Sequence, residues 1–177
     1  MIRLLSMLLL LSFLTAPAGA VGRKKEKKVK EKVKVGTLQG NQAPEIEGVN
    51  VAGKPMKLSD FRGKVTVLTF WGTWCGPCMA MLPHERELVE KHAKDDFAFV
   101  SVNTDPLPTI KRMIKKREVT WENWCDGSPD GPICRAYRVS SFPTIFVLDR
   151  AGIIRYIDVR GEELEAAIET LLAKSGN

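Results

Sequence analysis

Cys75 and Cys78 stand two residues apart in the run Trp71-Gly72-Thr73-Trp74-Cys75-Gly76-Pro77-Cys78. Cysteines so spaced alternate between dithiol and disulfide without moving the backbone, which is the chemistry of thiol-disulfide exchange. The nucleophile in that chemistry is a thiolate, so one cysteine must ionise near neutral pH. A helix N-terminus favours it, through unsatisfied N–H groups and the positive end of the helix dipole. The first cysteine of such a pair reaches a pKa of about 7. Cys75 is therefore read as the attacking thiol. Cys78, one turn further on and more enclosed, is the resolving thiol. Pro77 is tolerated in the first turn, where its missing N–H has no partner, and it stiffens the spacing of the sulfurs.

The flanking elements are predicted to hold the pair in place. Residues 64–70 are β-branched and aromatic, are bounded by Gly63 and Gly72, and read as a buried central strand that ends where the motif begins. Residues 97–103 read as a second core strand, and Asp105-Pro106 signals a helix over 107–117. A short hairpin is expected over 45–58, with short strands at 120–125, 143–148 and 153–159. Short and C-terminal helices are expected at 132–137 and after Gly161. This alternation predicts an α/β domain, a central mixed sheet with helices on both faces.

The motif and its flanks resemble a known family. Ala43-Pro44-Glu45-Ile46, Leu58-Ser59-Asp60-Phe61-Arg62-Gly63-Lys64 and the W-C-G-P-C run are similar to TlpA/ResA-like extracytoplasmic thioredoxins. So is Ser141-Phe142-Pro143-Thr144 with the apolar run 145–148. The resemblance covers about 42–173 and implies a thioredoxin fold with an N-terminal hairpin and a central insertion. It implies a protein-disulfide reductase without cofactor or bound metal, fed by a membrane thiol carrier. Its clients would be protein disulfides, among them cysteines awaiting haem attachment in cytochrome c maturation.

The resemblance also places a cis-proline loop, Phe142-Pro143, beside Cys75. Proline suits a tight turn and cannot donate to a neighbouring strand, which leaves the Phe142 backbone to pair with an extended substrate. Trp74, Gly76 and Pro77 complete the expected substrate surface. Trp71 reads either as part of the same apolar rim or, more readily, as core, and Trp121 and Trp124 are expected to pack. His84 and His92 fall on the wrong part of their helix for catalysis. Two positions depart from the family. Thioredoxin's buried aspartate is Thr69 here, and the glutamate of ResA-like members is Met81. Neither residue can take a proton from the resolving thiol.

Cys125 and Cys134 carry three readings. An even cysteine count in an exported chain favours a structural disulfide, closing a loop that holds Gly127, Pro129, Gly131 and Pro132. The alternatives are two buried free thiols, or a redox pair that relays electrons to Cys75 and Cys78. A zinc site is disfavoured because the second pair lacks zinc-ribbon spacing.

The chain has 177 residues, 44% of them hydrophobic, which agrees with a single domain after its N-terminal segments. The net charge of +6 is uneven: eight basic residues lie between Arg23 and Lys34, while residues 35–177 carry 18 basic and 19 acidic side chains. Residues 21–41 therefore read as a basic flexible linker. It is either a solvated tether or a contact to anionic membrane surface. No zinc-finger spacing or basic-aromatic stripe suggests nucleic acid. Arg3 and an apolar run over 4–14, followed by Ala16-Pro17-Ala18 and Ala18-Gly19-Ala20, read as an export signal over 1–20 and a periplasmic or secreted product. The basic residues just after it leave an uncleaved N-terminal anchor as the alternative. Residues 42–177 are assigned to the thioredoxin-like domain. Two other functions compete. A peroxiredoxin shares Ala43-Pro44 and Leu58-Ser59-Asp60, but its P-x-x-x-T-x-x-C pattern would need proline at Leu68 and threonine at Gly72. A non-catalytic binding domain would keep its cysteines as structural disulfides.

Overall fold

Strand β3 (Val65–Trp71) is buried along its whole length, as its apolar run predicts. It is the centre of a five-stranded sheet ordered β5-β4-β3-β6-β7 in a computed structural model that describes residues 33–174. β4 (Phe97–Asn103) and β5 (Glu122–Cys125) run parallel to β3, whereas β6 (Thr144–Leu148) is antiparallel to it and β7 (Ile154–Ile157) is antiparallel to β6. The helices are α1 (Gly76–Lys91), α2 (Leu107–Lys115), α3 (Pro132–Ala136) and α4 (Glu162–Ala173). The expected mixed α/β sheet is thus formed, and the described elements fall within a few residues of their sequence-based bounds.

Alternation along β3 sorts two cores. Val65, Val67 and Trp71 face one side with Cys75, Cys78, Leu82 and Leu88 of α1, Ile110 and Met113 of α2 and Leu164 and Ile168 of α4. Leu68 and Phe70 face the other with Trp124, Cys134, Tyr137 and Phe146. Both parallel crossovers, through α1 and through α2, cover one face because each returns with the same right-handed sense in the same direction across the sheet. That placement brings α2 beside the active-site helix.

Each sheet edge is covered. On one, the hairpin of β1 (Glu47–Val49) and β2 (Pro55–Lys57) reaches β5 through the Asn50–Trp124 bridge and Val51 N–H to Asn123 O at 3.0 Å. On the other, Gly40 N–H reaches Ile154 O at 2.8 Å, and Gln42 N–H turns back to Lys34 O at 2.8 Å. Within the expected linker over 21–41, Lys34, Gly36 and Gly40 take part in such backbone hydrogen bonds. The export signal and most of the basic run lie outside the described residues. Among the described residues no helix is long and apolar enough to cross a membrane.

Candidate active site

The end of β3 and the start of α1 place the cysteines where the sequence predicts them. Cys75 is the N-cap of α1, and its Sγ accepts the Cys78 N–H at 3.2 Å. The two sulfurs are joined in a disulfide with the Cα atoms 5.2 Å apart. Both residues are nearly covered, Cys75 at 5% exposure and Cys78 at 2%. In the reduced state that same N–H, with the other free amides of the first turn, is positioned to stabilise a Cys75 thiolate. Gly76 and Pro77 are exposed above the pair.

Around the sulfurs the chain builds a rim. Trp74 is 54% exposed, yet its indole N–H donates to Thr104 Oγ1 at 3.1 Å, and its ring meets Phe142 edge to face with centroids 5.1 Å apart. The Phe142–Pro143 peptide bond is cis, and the Pro143 carbonyl accepts Arg160 Nη2 at 2.7 Å. Motif and proline loop are thus brought together through Trp74 and Phe142. Gly72 makes room for this, because a Cβ there would lie 2.7 Å from Thr104 Oγ1. Trp71 is buried beneath and donates to Ser101 Oγ at 3.0 Å.

A latch at the end of β4 holds the loop from below. The Asp105 carboxylate accepts Thr73 N–H at 2.8 Å, Thr73 O–H at 2.7 Å and Asn103 Nδ2 at 2.9 Å, while Thr104 Oγ1 donates to Trp71 O at 3.1 Å. These residues were missed in the sequence. Their signal is a polar triplet, Asn103-Thr104-Asp105, at the carboxyl end of a parallel strand, the edge of an open sheet on which functional groups converge.

The Cys125–Cys134 disulfide expected from the even cysteine count is not made: both are free thiols. On β5, Trp124 points into the second core and Cys125 packs against the first, while Cys134 of α3 belongs to the second, so the thiols face opposite sides of the sheet. Cys125 Sγ donates to Asp105 O at 3.3 Å, and burial raises its pKa despite a countering backbone hydrogen bond from Gly127. Burial, reinforced by Asp126, pushes the Cys134 thiol up to about 12. Both thiols therefore stay protonated at neutral pH.

The proton-handling positions are distributed as the sequence departs from the family. Thr69 is buried under α1 with Oγ1 unpartnered among the described residues. Met81 packs against the core with no ionisable atom to offer. A further acid, Glu85, was overlooked: it shares the buried face of α1 with Cys78 and Leu82, and burial pushes its carboxyl up to about 8. Seven residues of helix put it roughly 10 Å from Cys78 along the axis, out of direct contact. His84 and His92 take structural partners, Glu165 at 2.8 Å and Asp95 at 2.7 Å. Among the described residues no cluster of His, Cys, Asp or Glu is arranged to hold a metal.

A C-x-x-C disulfide at the N-terminus of a helix, in a thioredoxin fold with its cis-proline loop alongside, is the arrangement of a thiol-disulfide oxidoreductase. Residues 39–157 match the AhpC/TSA family, and the chain belongs to it. It is 30% identical over 136 residues to the thiol-disulfide oxidoreductase ResA of Bacillus thuringiensis, spanning 76% of this chain and 77% of the relative. It is 33% identical over 129 residues to the thioredoxin-like protein YneN of Bacillus subtilis, spanning 72% and 75%. Among solved structures, a thiol-disulfide oxidoreductase from Bacteroides fragilis matches with a TM-score of 0.69 and 26% identity over 75% of this chain and all of the other. The enzyme class implied by the motif is therefore that of its relatives.

Proposed function

We propose that the protein is an exported reductant of protein disulfides. The Cys75–Cys78 pair, capped onto α1 beneath the Trp74–Phe142 rim, is the observation that supports this most. In the reduced protein the Cys75 thiolate attacks one sulfur of a client disulfide. A mixed disulfide forms, and the other client sulfur leaves as a thiolate that takes a proton from water. Cys78 then gives its proton to water, and its thiolate attacks Cys75 Sγ. The second client sulfur leaves as a thiolate that takes a proton from water, and the Cys75–Cys78 disulfide is left behind. The client gains two electrons from the enzyme and two protons from water. A membrane dithiol carrier restores the dithiol.

Trp74, Gly76, Pro77, Phe142 and Pro143 form the surface that the client crosses. Exposed aromatic area beside a proline loop suits an extended chain held by backbone hydrogen bonds and one or two side chains. Cytochrome c precursors awaiting haem fit this class of client. The export reading rests on residues 1–20, and the basic run after them supplies either a tether or attraction to anionic membrane. Stoichiometric reduction of a peptide disulfide by the prereduced protein tests the activity. Intact mass of the processed chain tests export, with an N-terminus at Gly19 or Val21 expected and full-length chain in the membrane fraction counting against cleavage.

A further inference from the structure

Helix α2 and the turn after it carry Lys111, Arg112, Lys115, Lys116 and Arg117, five cations in seven positions with no acid among them, all exposed. Residues 35–177 as a whole are close to neutral, so this is a local concentration of charge, and acids gather elsewhere, as in the first turn of α4 with Glu162, Glu163 and Glu165. Among the described residues, the ion pair made by these cations is Lys116 with Glu118 at 3.9 Å, at the limit of contact. Four cations are left facing solvent.

Part of this face lines a groove that opens at the active site. A cavity of about 310 Å³ is bounded by Thr109, Arg112, Met113 and Lys116, one stripe of α2 and its C-cap, and by Thr73 and Met79. Thr73 lies two residues before Cys75, and Met79 follows Cys78 directly. Its lining includes two methionines, flexible and polarisable side chains that accept varied shapes, and two cations, Arg112 and Lys116.

We propose that this groove receives the segment of a client polypeptide beside its target cysteine, and that it selects segments rich in aspartate and glutamate. The proposal rests on the protein-disulfide reading and adds the chemistry of the preferred client. An acidic side chain entering the groove lays its methylenes on Met79 and Met113 and its carboxylate between Arg112 and Lys116, where the guanidinium offers a forked pair of donors. The remaining cations raise the encounter rate with an acidic partner by long-range attraction. A lipid surface fits less well, because the groove is concave and is bounded by Thr73 and Met79, on either side of the C-x-x-C pair in the chain, which a flat bilayer would cover.

The test compares two peptides with the same intramolecular disulfide, one flanked by Asp and Glu and one by Lys, with a neutral small-molecule disulfide as reference. For the reduced full chain, kcat/KM should favour the acidic peptide by about tenfold or more at roughly 20 mM salt, and the preference should shrink severalfold at about 300 mM as screening shortens. The double variant Arg112→Glu/Lys116→Glu should reverse the preference. Exposed positions tolerate such changes without loss of the fold. Equal kcat/KM on the two peptides, or a preference that survives the double variant, overturns the proposal. So does sedimentation with phosphatidylserine vesicles that the double variant abolishes while the peptides stay equivalent, since that gives the face to a membrane. No reduction of any of the three disulfides by the unaltered protein counts instead against the oxidoreductase reading.

Discussion

Trp74 and Phe142, 68 positions apart, meet edge to face with ring centroids 5.1 Å apart, and through them the C-x-x-C loop and the proline loop become one surface. The contact is held on the other side by the Trp74 indole N–H on Thr104. Trp74→Ala should lower kcat/KM for peptide disulfides by about tenfold, the effect of losing an exposed aromatic anchor, and should lower it less for a small disulfide that needs no rim. Equal losses on both substrates would place the effect at the sulfurs instead.

Asp105 is the second support. Its carboxylate takes both polar hydrogens of Thr73 and one from Asn103, so Asp105→Ala leaves three buried or half-buried donors without a partner. The expected cost is about 2 to 4 kcal/mol in stability, with slower turnover as the loop before Cys75 loosens. Urea denaturation of the variant checks the first figure. Wild-type stability would show that the latch is decorative.

Glu85 gives a pH dependence with a definite sign. It is 3% exposed, and burial alone raises its carboxyl from an ordinary 4.5 to about 8. Between those values the folded chain holds a proton that the unfolded chain has released, so the stability this contributes is complete below about pH 4.5 and is lost as pH rises through about 8. The loss is on the order of a few kcal/mol. Glu85→Gln should flatten the profile, measured as urea midpoints at about pH 5, 7 and 9. Parallel profiles for the two proteins would contradict the buried, protonated state.

The opposite-facing thiols predict a count. Non-reducing denaturation of the oxidised protein should expose two titratable thiols, Cys125 and Cys134, with peptide mapping linking Cys75 to Cys78 alone. No titratable thiol, with a Cys125–Cys134 link, would restore the structural bridge.

Much of this was legible in the chain. The strand 65–71, the motif and the proline loop carry their own punctuation, so local pattern and turn chemistry place them, and β4 begins and ends where its apolar run does. What was not legible depends on which side of the sheet a residue faces. Cys125 and Cys134 have a spacing that closes a loop on paper, but the alternation of β5 and the placement of α3 send them apart. Glu85 reads as one charge among several on α1 until packing buries it. The five cations of α2 and the turn after it were averaged away, because the near-neutral balance of residues 35–177 conceals a basic segment beside the motif and an acidic helix elsewhere.

The central claim is the division of roles between Cys75 and Cys78, and trapping tests it most directly. A Cys78→Ser variant, reduced and mixed with a disulfide-bonded client peptide, should accumulate a covalent adduct through Cys75 that mass spectrometry resolves and dithiothreitol releases. Under the same conditions Cys75→Ser should form little adduct and reduce nothing. Equal adduct yields from both variants, or an adduct carried by Cys78, would contradict the account.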